Sequence, residues 1–186
     1  MRPVDFNETR IKVVSPAKGV VLEIGFGSGY NIPFYKQIKK LYALDPSAQL
    51  YEYAKERVAS AAFPVEYLQN SAEEIPLPDS TVDTIVSTWT LCSIPDLAKA
   101  LREIARVLKP DGIFIFIEHG RSPKKLNSAV QRLITPVTKI FTGNCHLDRE
   151  IDTQIKDVGF IFRSLEKSPE KGMPLMFSYR GTAVKQ

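Results

Sequence analysis

The feature that most constrains this chain is an apolar run that ends in three closely spaced glycines. The run, "GVVLEI" at 19–24, is followed by Gly25, Gly27 and Gly29. A continuous apolar run with two β-branched valines is typical of a strand buried on both faces, as in a parallel sheet. Glycines directly after such a strand let a ligand approach the backbone closely. The sequence therefore predicts a parallel sheet with a ligand site at the end of its first strand.

The rest of the chain alternates between strand-like and helix-like segments, which indicates α/β layers around a mostly parallel sheet. Further strands are predicted at 41–45, 64–69, 81–88 and 112–120, and helices at 31–40, 46–62, 96–110 and 148–160. The last two strands, 160–167 and 174–185, have too few residues between them for a parallel crossover. We therefore expect one α/β domain over 1–186, with helices on both faces and an antiparallel C-terminal hairpin strand.

The segment 121–147 is predicted to be an insertion that forms a lid over the substrate, and we call the site beneath it the acceptor site. Its apolar residues have helical spacing that Pro136 interrupts, so we expect one kinked helix or two short helices. Lysines and arginines stand among apolar residues over 121–141, as in helices that lie on an anionic membrane. This pattern predicts peripheral membrane contact or a cover for a lipophilic acceptor, and a solvated face over an ordinary lid is an equal alternative.

Composition excludes several classes of protein. The 186 residues carry a formal net charge of +4 and 44% hydrophobic residues, as in ordinary globular proteins. No arginine-rich stripe or aromatic RNA-binding signature is present, so no nucleic-acid partner is expected. The N-terminus lacks the pattern of a signal peptide, which favours a cytoplasmic location. Cys92 and Cys145 are far apart and lack metal-ligand spacing, so neither a disulfide framework nor a metal site is expected.

The glycine spacing and the neighbouring acid favour a cationic ligand over a dinucleotide. A dinucleotide site has the spacing G-x-G-x-x-G, whose third glycine would fall at position 30, and Tyr30 stands there. Glu23, just before the loop, would also repel a pyrophosphate. S-adenosylmethionine carries a sulfonium and an ammonium and has no phosphate. The pattern therefore favours this methyl donor.

Two later segments extend the predicted site. Asp45 follows the second predicted strand, 22 residues after Glu23, where an acid can accept hydrogen bonds from ribose hydroxyls. The alternative is a helix-capping or turn aspartate before Pro46. Ser71 and Ala72 lie in a turn that can follow an adenine edge, and Ser71 can equally cap toward Glu74.

Several stretches together resemble the class I S-adenosylmethionine-dependent methyltransferases, in the group that includes the ubiquinone and menaquinone C-methyltransferases. They are "VLEIGFGSGYN", "ALDPS", "NSAEEIPLPDSTVDTIVSTWTLCSIPD" and "LREIARVLKPDGIFIFIEH", which cover about 18–120. A narrower similarity joins "GSGYNIPFY", "TLCSI", "EHG" and "NCHLDRE" to the small thiol S-methyltransferases. The resemblance implies a Rossmann-like methyltransferase fold that uses S-adenosylmethionine and releases S-adenosylhomocysteine.

The resemblance also implies roles for particular residues. The loop beside the methionine moiety would contain Glu23, Gly25, Gly27, Gly29 and Asn31, and Thr88 would lie near the same moiety. Asp45 would hold the ribose, and Pro46 or Ser47 would flank the adenine, whose edge Ser71 and Ala72 would contact. The family commonly has aspartate where this chain has Ser71, so the hydrogen bond to the adenine is expected to be weaker or rearranged.

The acceptor side is predicted from residues near the ends of the later strands. His119, beside Glu118 at the end of the fifth strand, is the candidate general base, and the alternative is a solvent-facing histidine at a strand end. Trp89, Cys92 and His146 are candidates for the wall of the acceptor pocket, with Cys145 beside His146. Core packing for Trp89 and Cys92, and an incidental loop position for His146, are the alternatives.

We therefore expect a methyltransferase that acts on a small lipophilic or thiol acceptor by direct in-line transfer. A phospholipid or quinone methyltransferase is an alternative acceptor class. A protein that binds S-adenosylmethionine without transfer is a second alternative, because only about 18 residues precede the first strand. A nicotinamide oxidoreductase is the third.

Overall fold

The computed structural model describes residues 6–170 and 173–186, and one seven-stranded sheet organises them. The strand order is β3-β2-β1-β4-β5-β7-β6. Strands β1 to β5 pair parallel to one another, and β7 is antiparallel to both β5 and β6. The antiparallel C-terminal hairpin is thereby confirmed. The strands are β1 Lys18–Ile24, β2 Gln37–Leu44, β3 Val65–Leu68, β4 Val82–Thr88, β5 Leu108–Gly120, β6 Phe160–Glu170 and β7 Met173–Lys185.

Helices cover both faces of the sheet, as predicted. Alternate β1 side chains divide between two cores, because neighbouring residues of a strand point to opposite faces. Leu22 packs in the core under α3 and α5, and Val21 packs in the core under α1 and α2. None of the described helices is long and apolar enough to cross a bilayer. The helices are α1 Phe6–Val14, α2 Ala48–Ala59, α3 Leu97–Val107, α4 Lys125–Phe141 and α5 Ile151–Asp157.

The prediction of a helix over 31–40 is wrong. A single 3-10 turn, Ile32–Phe34, is followed by β2, which begins at Gln37. Pro33 fits the start of such a turn, and the residues after it alternate between exposed and less exposed positions up to Leu41. Gln37, Ile38 and Lys40 pair with β1, so the backbone of this part of the segment is bonded within the sheet.

Helix α1 was not predicted from the sequence. Its apolar residues form no regular stripe, yet Val13 and Val14 are buried against the sheet. The short segment before β1 is therefore a packed helix.

The segment 121–147 contains one helix, α4, with Pro136 inside it, so the single-helix alternative is confirmed. Gln131 fixes this helix to the ends of two strands although it is a polar residue with no exposed surface. Its side chain accepts from the Ser122 amide at 2.7 Å and donates to the carbonyls of Gly120 at 3.1 Å and Leu175 at 2.9 Å. These bonds set the position of α4 over the carboxyl end of the sheet.

Candidate functional site

The carboxyl ends of β1, β2, β4 and β5 meet at one edge of the sheet, where ligands bind in open α/β folds. The loop after β1 opens this edge. Gly25, Gly27 and Gly29 have φ values of +69, +54 and +73 degrees, which glycine adopts without strain. A Cβ at Gly25 would lie 2.1 Å from Thr90 Oγ1, so this position has no room for a side chain.

Asp45 joins this loop to the start of α2. Its Oδ2 accepts from the Gly27 amide and its Oδ1 from the Ser47 amide, both at 2.8 Å. The helix cap is Ser47, whose hydroxyl accepts from the Leu50 amide at 3.2 Å. A carboxylate has about four lone-pair sites, so Asp45 keeps capacity for ligand hydroxyls.

Glu23 is the centre of a buried hydrogen-bond network behind the loop. Its carboxylate accepts from Asn31 Nδ2 at 2.9 Å and from the Tyr35 hydroxyl at 2.7 Å. Asn31 also donates to Thr88 Oγ1 at 3.1 Å and accepts from Arg10 at 2.7 Å. Burial raises the pKa of Glu23 to about 7, although the bonds from Tyr35 and Asn31 act in the opposite direction.

A cavity of about 560 Å³, which we name the glycine cavity, lies above this loop. Eight of the predicted cofactor residues line it: Gly25, Gly27, Asp45, Pro46, Ser47, Ser71, Ala72 and Thr88. Glu23, Gly29 and Asn31 lie behind it and do not form its wall. The Ser71 hydroxyl accepts from the Glu73 amide at 3.2 Å, so it belongs to a local turn at the cavity edge.

Arg10 is the residue of the glycine cavity that sequence reasoning missed. It projects from α1, and its guanidinium lies 4.9 Å from the centre of the Trp89 ring. No motif surrounds Arg10, and the weak amphipathic pattern of α1 offered no signal. Because Arg10 is a cation on the cavity wall, it provides a partner for a ligand carboxylate.

Glu118 organises the loop after β4, a role that the sequence did not reveal. It is fully buried and accepts from the Ser87 hydroxyl at 2.6 Å, the Thr90 amide at 3.1 Å and the Cys92 amide at 3.3 Å. Burial raises the pKa of Glu118, and these hydrogen bonds oppose the change. The same loop places Trp89 in a left-handed conformation with φ of +55 degrees, an unusual geometry that is common at functional sites.

A second cavity of about 440 Å³, the cysteine cavity, adjoins the first. The two cavities share Trp89 and Ser93 in their walls. The cysteine cavity is lined mainly by apolar side chains together with three groups that carry chemistry: Cys92, His119 and Cys145.

The three groups lie close together. Cys145 Sγ is 3.7 Å from His119 Nδ1, and one side-chain atom of each residue lies within 4.8 Å of the others. Hydrogen bonding between the two thiols, together with burial, raises the pKa of Cys92. The same hydrogen bond holds the pKa of Cys145 below its usual value, although burial acts in the opposite direction. Burial lowers the pKa of His119, but hydrogen bonding to Cys92 and nearby negative charge outweigh it and raise the pKa.

The predicted acceptor residues thus divide into two groups. Trp89, Cys92 and His119 line the cysteine cavity, and His146 lines neither cavity. The backbone amide of His146 donates to the Cys92 carbonyl at 2.8 Å, so this residue helps to hold the loop. The spacing of the two cysteines gave no sign that Cys145 would reach Cys92.

This fold and this edge of the sheet define a class: the Rossmann-like class I methyltransferases. Residues 22–116 match a family model described as a methyltransferase domain. The chain belongs to this family and is an S-adenosylmethionine-dependent methyltransferase.

The chain is similar to particular methyltransferases and to a solved structure with this fold. The thiol S-methyltransferase TMT1B of Rattus norvegicus is 33% identical over 174 residues, which cover 89% of this chain and 70% of the relative. A phosphatidylethanolamine N-methyltransferase of Cereibacter sphaeroides is 30% identical over 123 residues, which cover 65% of this chain and 61% of that protein. The crystal structure of YcgJ from Bacillus subtilis has a TM-score of 0.74 at 17% identity, with 97% of each chain covered, and shows the same fold.

Proposed function

We propose that this chain transfers the methyl group of S-adenosylmethionine to the sulfur of a small, lipophilic thiol. The observation that carries the proposal is the pair of adjoining cavities that meet at Trp89. One has glycines, a carboxylate and a cation in its wall, and the other is apolar with thiols and an imidazole. An in-line displacement needs the donor and the acceptor next to each other, and the two cavities have Trp89 and Ser93 in common in their walls.

The glycine cavity fits the methyl donor by size and by the chemistry of its wall. Its volume of about 560 Å³ lies within the range of small-ligand sites. Asp45 would accept the ribose hydroxyls with its spare lone pairs, and Arg10 would pair with the methionine carboxylate. Ser71 and Ala72 would border the adenine. When bound, S-adenosylmethionine supplies a methyl group on a positively charged sulfur.

Glu23 would act on this cofactor from behind the loop. Its carboxyl accepts a hydrogen bond from Asn31, which also donates to Thr88 on the wall of the glycine cavity. We propose that Glu23 orients Asn31 and that, in its ionised form, it supplies negative potential that favours a cationic ligand over a diphosphate. Gly29 gives the loop the conformation that places Asn31 at this point.

The cysteine cavity fits a small apolar acceptor. Trp89, Ile134, Leu147 and Met176 are among the side chains that line it. A thiol needs only to be deprotonated before it attacks, and a thiolate is partly available near neutral pH. The thiol relatives support sulfur as the acceptor atom. His119 lies on the wall, and its part as a general base stays a prediction, as does the substrate contact of His146.

The test measures S-adenosylhomocysteine release with acceptors of matched size. We expect turnover with small alkyl and aryl thiols, and little with the corresponding alcohols, amines and quinols. Faster turnover with an amine or a quinol than with every thiol would contradict the proposal. A cytoplasmic location also stays a prediction, which cell fractionation tests.

A variant of Arg10 tests the donor site separately. Arg10→Ala is expected to weaken S-adenosylhomocysteine binding about tenfold, or about 1.4 kcal/mol, because a carboxylate partner is lost. Lys12→Ala is the control, since Lys12 lies on the same helix and does not line the glycine cavity. Calorimetric titration measures both, and equal affinities for the two variants would refute the role of Arg10.

The outer face of α4 supports a second proposal, peripheral contact with an anionic membrane. Several large apolar side chains on this helix are strongly exposed: Leu126 77%, Leu133 79%, Val137 60%, Ile140 74% and Phe141 83%. Lysines and arginines stand among them, as in helices that lie in an anionic interface. Such contact would bring the cysteine cavity near lipophilic acceptors, and the phospholipid methyltransferase relative makes a lipid headgroup the second candidate acceptor.

Vesicle co-sedimentation tests the membrane proposal. We expect binding to vesicles that contain phosphatidylglycerol, weaker binding to phosphatidylcholine alone, and loss of binding in Leu133→Glu. Tyr53→Glu is the control, because Tyr53 is 66% exposed on α2. A concentration-dependent dimer that Leu133→Glu dissociates, with no vesicle binding, would assign this face to a second copy of the chain instead.

A further inference from the structure

Two thiols and one imidazole converge on the wall of the cysteine cavity. Cys92, His119 and Cys145 each direct one potential ligand atom to a common point, with all three atoms within 4.8 Å of one another. Cys92 is 1% exposed and Cys145 is 5% exposed, so both sulfurs are shielded from bulk solvent. The chain has two cysteines and two histidines in total, and three of these four residues form this cluster.

Three separate elements bring the cluster together. Cys92 is on the loop after β4, His119 is near the end of β5, and Cys145 is on the loop between α4 and α5. Hydrogen bonds fasten the two loops to each other. Asn144 Nδ2 donates to the Ser93 carbonyl at 2.8 Å, and Arg149 donates to the Leu91 carbonyl at 2.6 Å.

The donor set has the chemistry of a zinc site. Thiolate sulfur and imidazole nitrogen bind zinc at about 2.3 Å and about 2.0–2.1 Å, which places tetrahedral S and N ligands about 3.6 Å apart. The distance from Cys145 Sγ to His119 Nδ1 is 3.7 Å, close to that separation. Since the third ligand atom lies within 4.8 Å of both, a shift of at most about 1 Å completes the geometry.

We propose that Cys92, His119 and Cys145 bind one divalent cation of the zinc class, with a fourth position open to the cysteine cavity. Two cysteines, one histidine and an open position are the arrangement of a catalytic rather than a structural zinc site. The guanidinium of Arg149 lies near both sulfurs and offsets part of the negative charge of two thiolates. The Cys92 amide is held by Glu118, which fixes the loop that carries this ligand.

The open position suits the sulfur of the acceptor, an extension that rests on the proposed thiol methylation. A thiol that binds there loses its proton to solvent and ligates the metal as a thiolate. Its sulfur then forms the bond to the methyl carbon while the bond from that carbon to the sulfonium breaks. The products are a thioether and neutral S-adenosylhomocysteine. The thioether carries no charge, so it is a weaker ligand than the thiolate and leaves.

Cobalt titration tests the site without relying on activity. The full chain is reduced, stripped of metal with a chelator and titrated with Co²⁺. We expect one equivalent to bind, with thiolate-to-cobalt charge-transfer absorption and the visible bands of a tetrahedral site. Zn²⁺ should displace the cobalt, and a small alkyl thiol added afterwards to the cobalt form should shift the visible bands.

The two histidines provide a matched pair of variants. His119→Gln, Cys92→Ser and Cys145→Ser should each lose the tetrahedral cobalt spectrum, whereas His146→Gln should retain it. Circular dichroism identifies any variant that fails to fold. As a second readout, Zn²⁺ should raise the Tm of the unmodified chain and of His146→Gln, but not that of His119→Gln.

The outcomes separate this inference from the proposed function. Absence of cobalt binding, a spectrum lost in His146→Gln but kept in His119→Gln, or a Cys92–Cys145 disulfide with full activity would overturn the metal site. Undiminished thiol methylation after removal of metal would leave the proposed function standing and overturn the binding of the acceptor sulfur to the metal. Tetrahedral cobalt binding without methylation of any thiol would support the site and reject the thiol acceptor.

Discussion

The buried carboxyl of Glu23 should make the protein less stable as the pH rises from about 5 to about 8. The carboxyl has 1% of its surface exposed, and burial raises its pKa from 4.5 to about 7. The hydrogen bonds from Tyr35 and Asn31 and the charge of Arg10 lower the pKa, and the charge of Asp45 raises it. The folded protein therefore holds a proton that the unfolded chain has already released.

The sign and size of the effect follow from these two values. Between pH 4.5 and about 7 the folded state binds more protons at this carboxyl than the unfolded state, so the free energy of unfolding falls with rising pH. The carboxyl of Glu23 has a pKa of 4.5 in the unfolded chain and about 7 in the folded protein. Because of this difference, the protein is about 2.5 kcal/mol less stable at about pH 8 than at about pH 5. The stabilisation is complete below pH 4.5 and is lost as the pH passes through 7.

Urea unfolding across this pH range measures the effect as a difference between variants. Glu23→Gln has no titratable proton at this position, so its stability should lack the decline of about 2.5 kcal/mol, while other titrating groups contribute equally to both proteins. Glu52→Gln is the control, because Glu52 is exposed and paired with Lys55 at the surface. Parallel pH profiles for the unmodified chain and Glu23→Gln would refute the reasoning.

Two further substitutions test the glycine loop and the attachment of α4, both by urea unfolding. Gly25→Ala should be about 1–3 kcal/mol more destabilising than Gly159→Ala and should weaken S-adenosylhomocysteine binding. Both glycines have positive φ, but a Cβ at Gly159 would meet no atom of the described residues within 4 Å, whereas one at Gly25 would lie 2.1 Å from Thr90. Equal costs would contradict the steric argument. Gln131→Leu should cost about 2–4 kcal/mol because three backbone groups, two of them in buried hydrogen bonds, lose their partner. The exposed Gln49→Leu should change stability by about 0.5 kcal/mol or less. A small effect of Gln131→Leu would show that α4 is held by other contacts.

The sequence predicted the layers of the fold because its strongest signals are local. The apolar strands and the helices predicted over 46–62 and 96–110 depend on neighbours within a few residues. The antiparallel β7 followed from the short connection before it. These features depend on chain length and hydrophobic period, which can be read without a structure.

One local prediction failed and one helix was missed where the signal was weak. The segment 31–40 contains apolar residues that fit a helix or a strand, and pairing of its second half with β1 decided in favour of β2. The apolar residues of helix α1 form no regular stripe, so its burial depends on the sheet that it packs against. Arg10 could not be placed at the glycine cavity without that helix.

The sequence by itself determined the loop of the candidate site. Gly25, Gly27, Gly29 and Asp45 lie at the carboxyl ends of two predicted parallel strands, and such ends meet at one edge of a sheet. Only the tertiary structure shows that the residues of the cysteine cavity lie together. Cys92, His119 and Cys145 are more than twenty residues apart and share no motif, so their meeting depends on how the loop after α4 docks onto the loop after β4. That docking is made by backbone carbonyls and by side chains such as Asn144 and Arg149, whose partners are set by the packing of whole elements rather than by spacing along the chain.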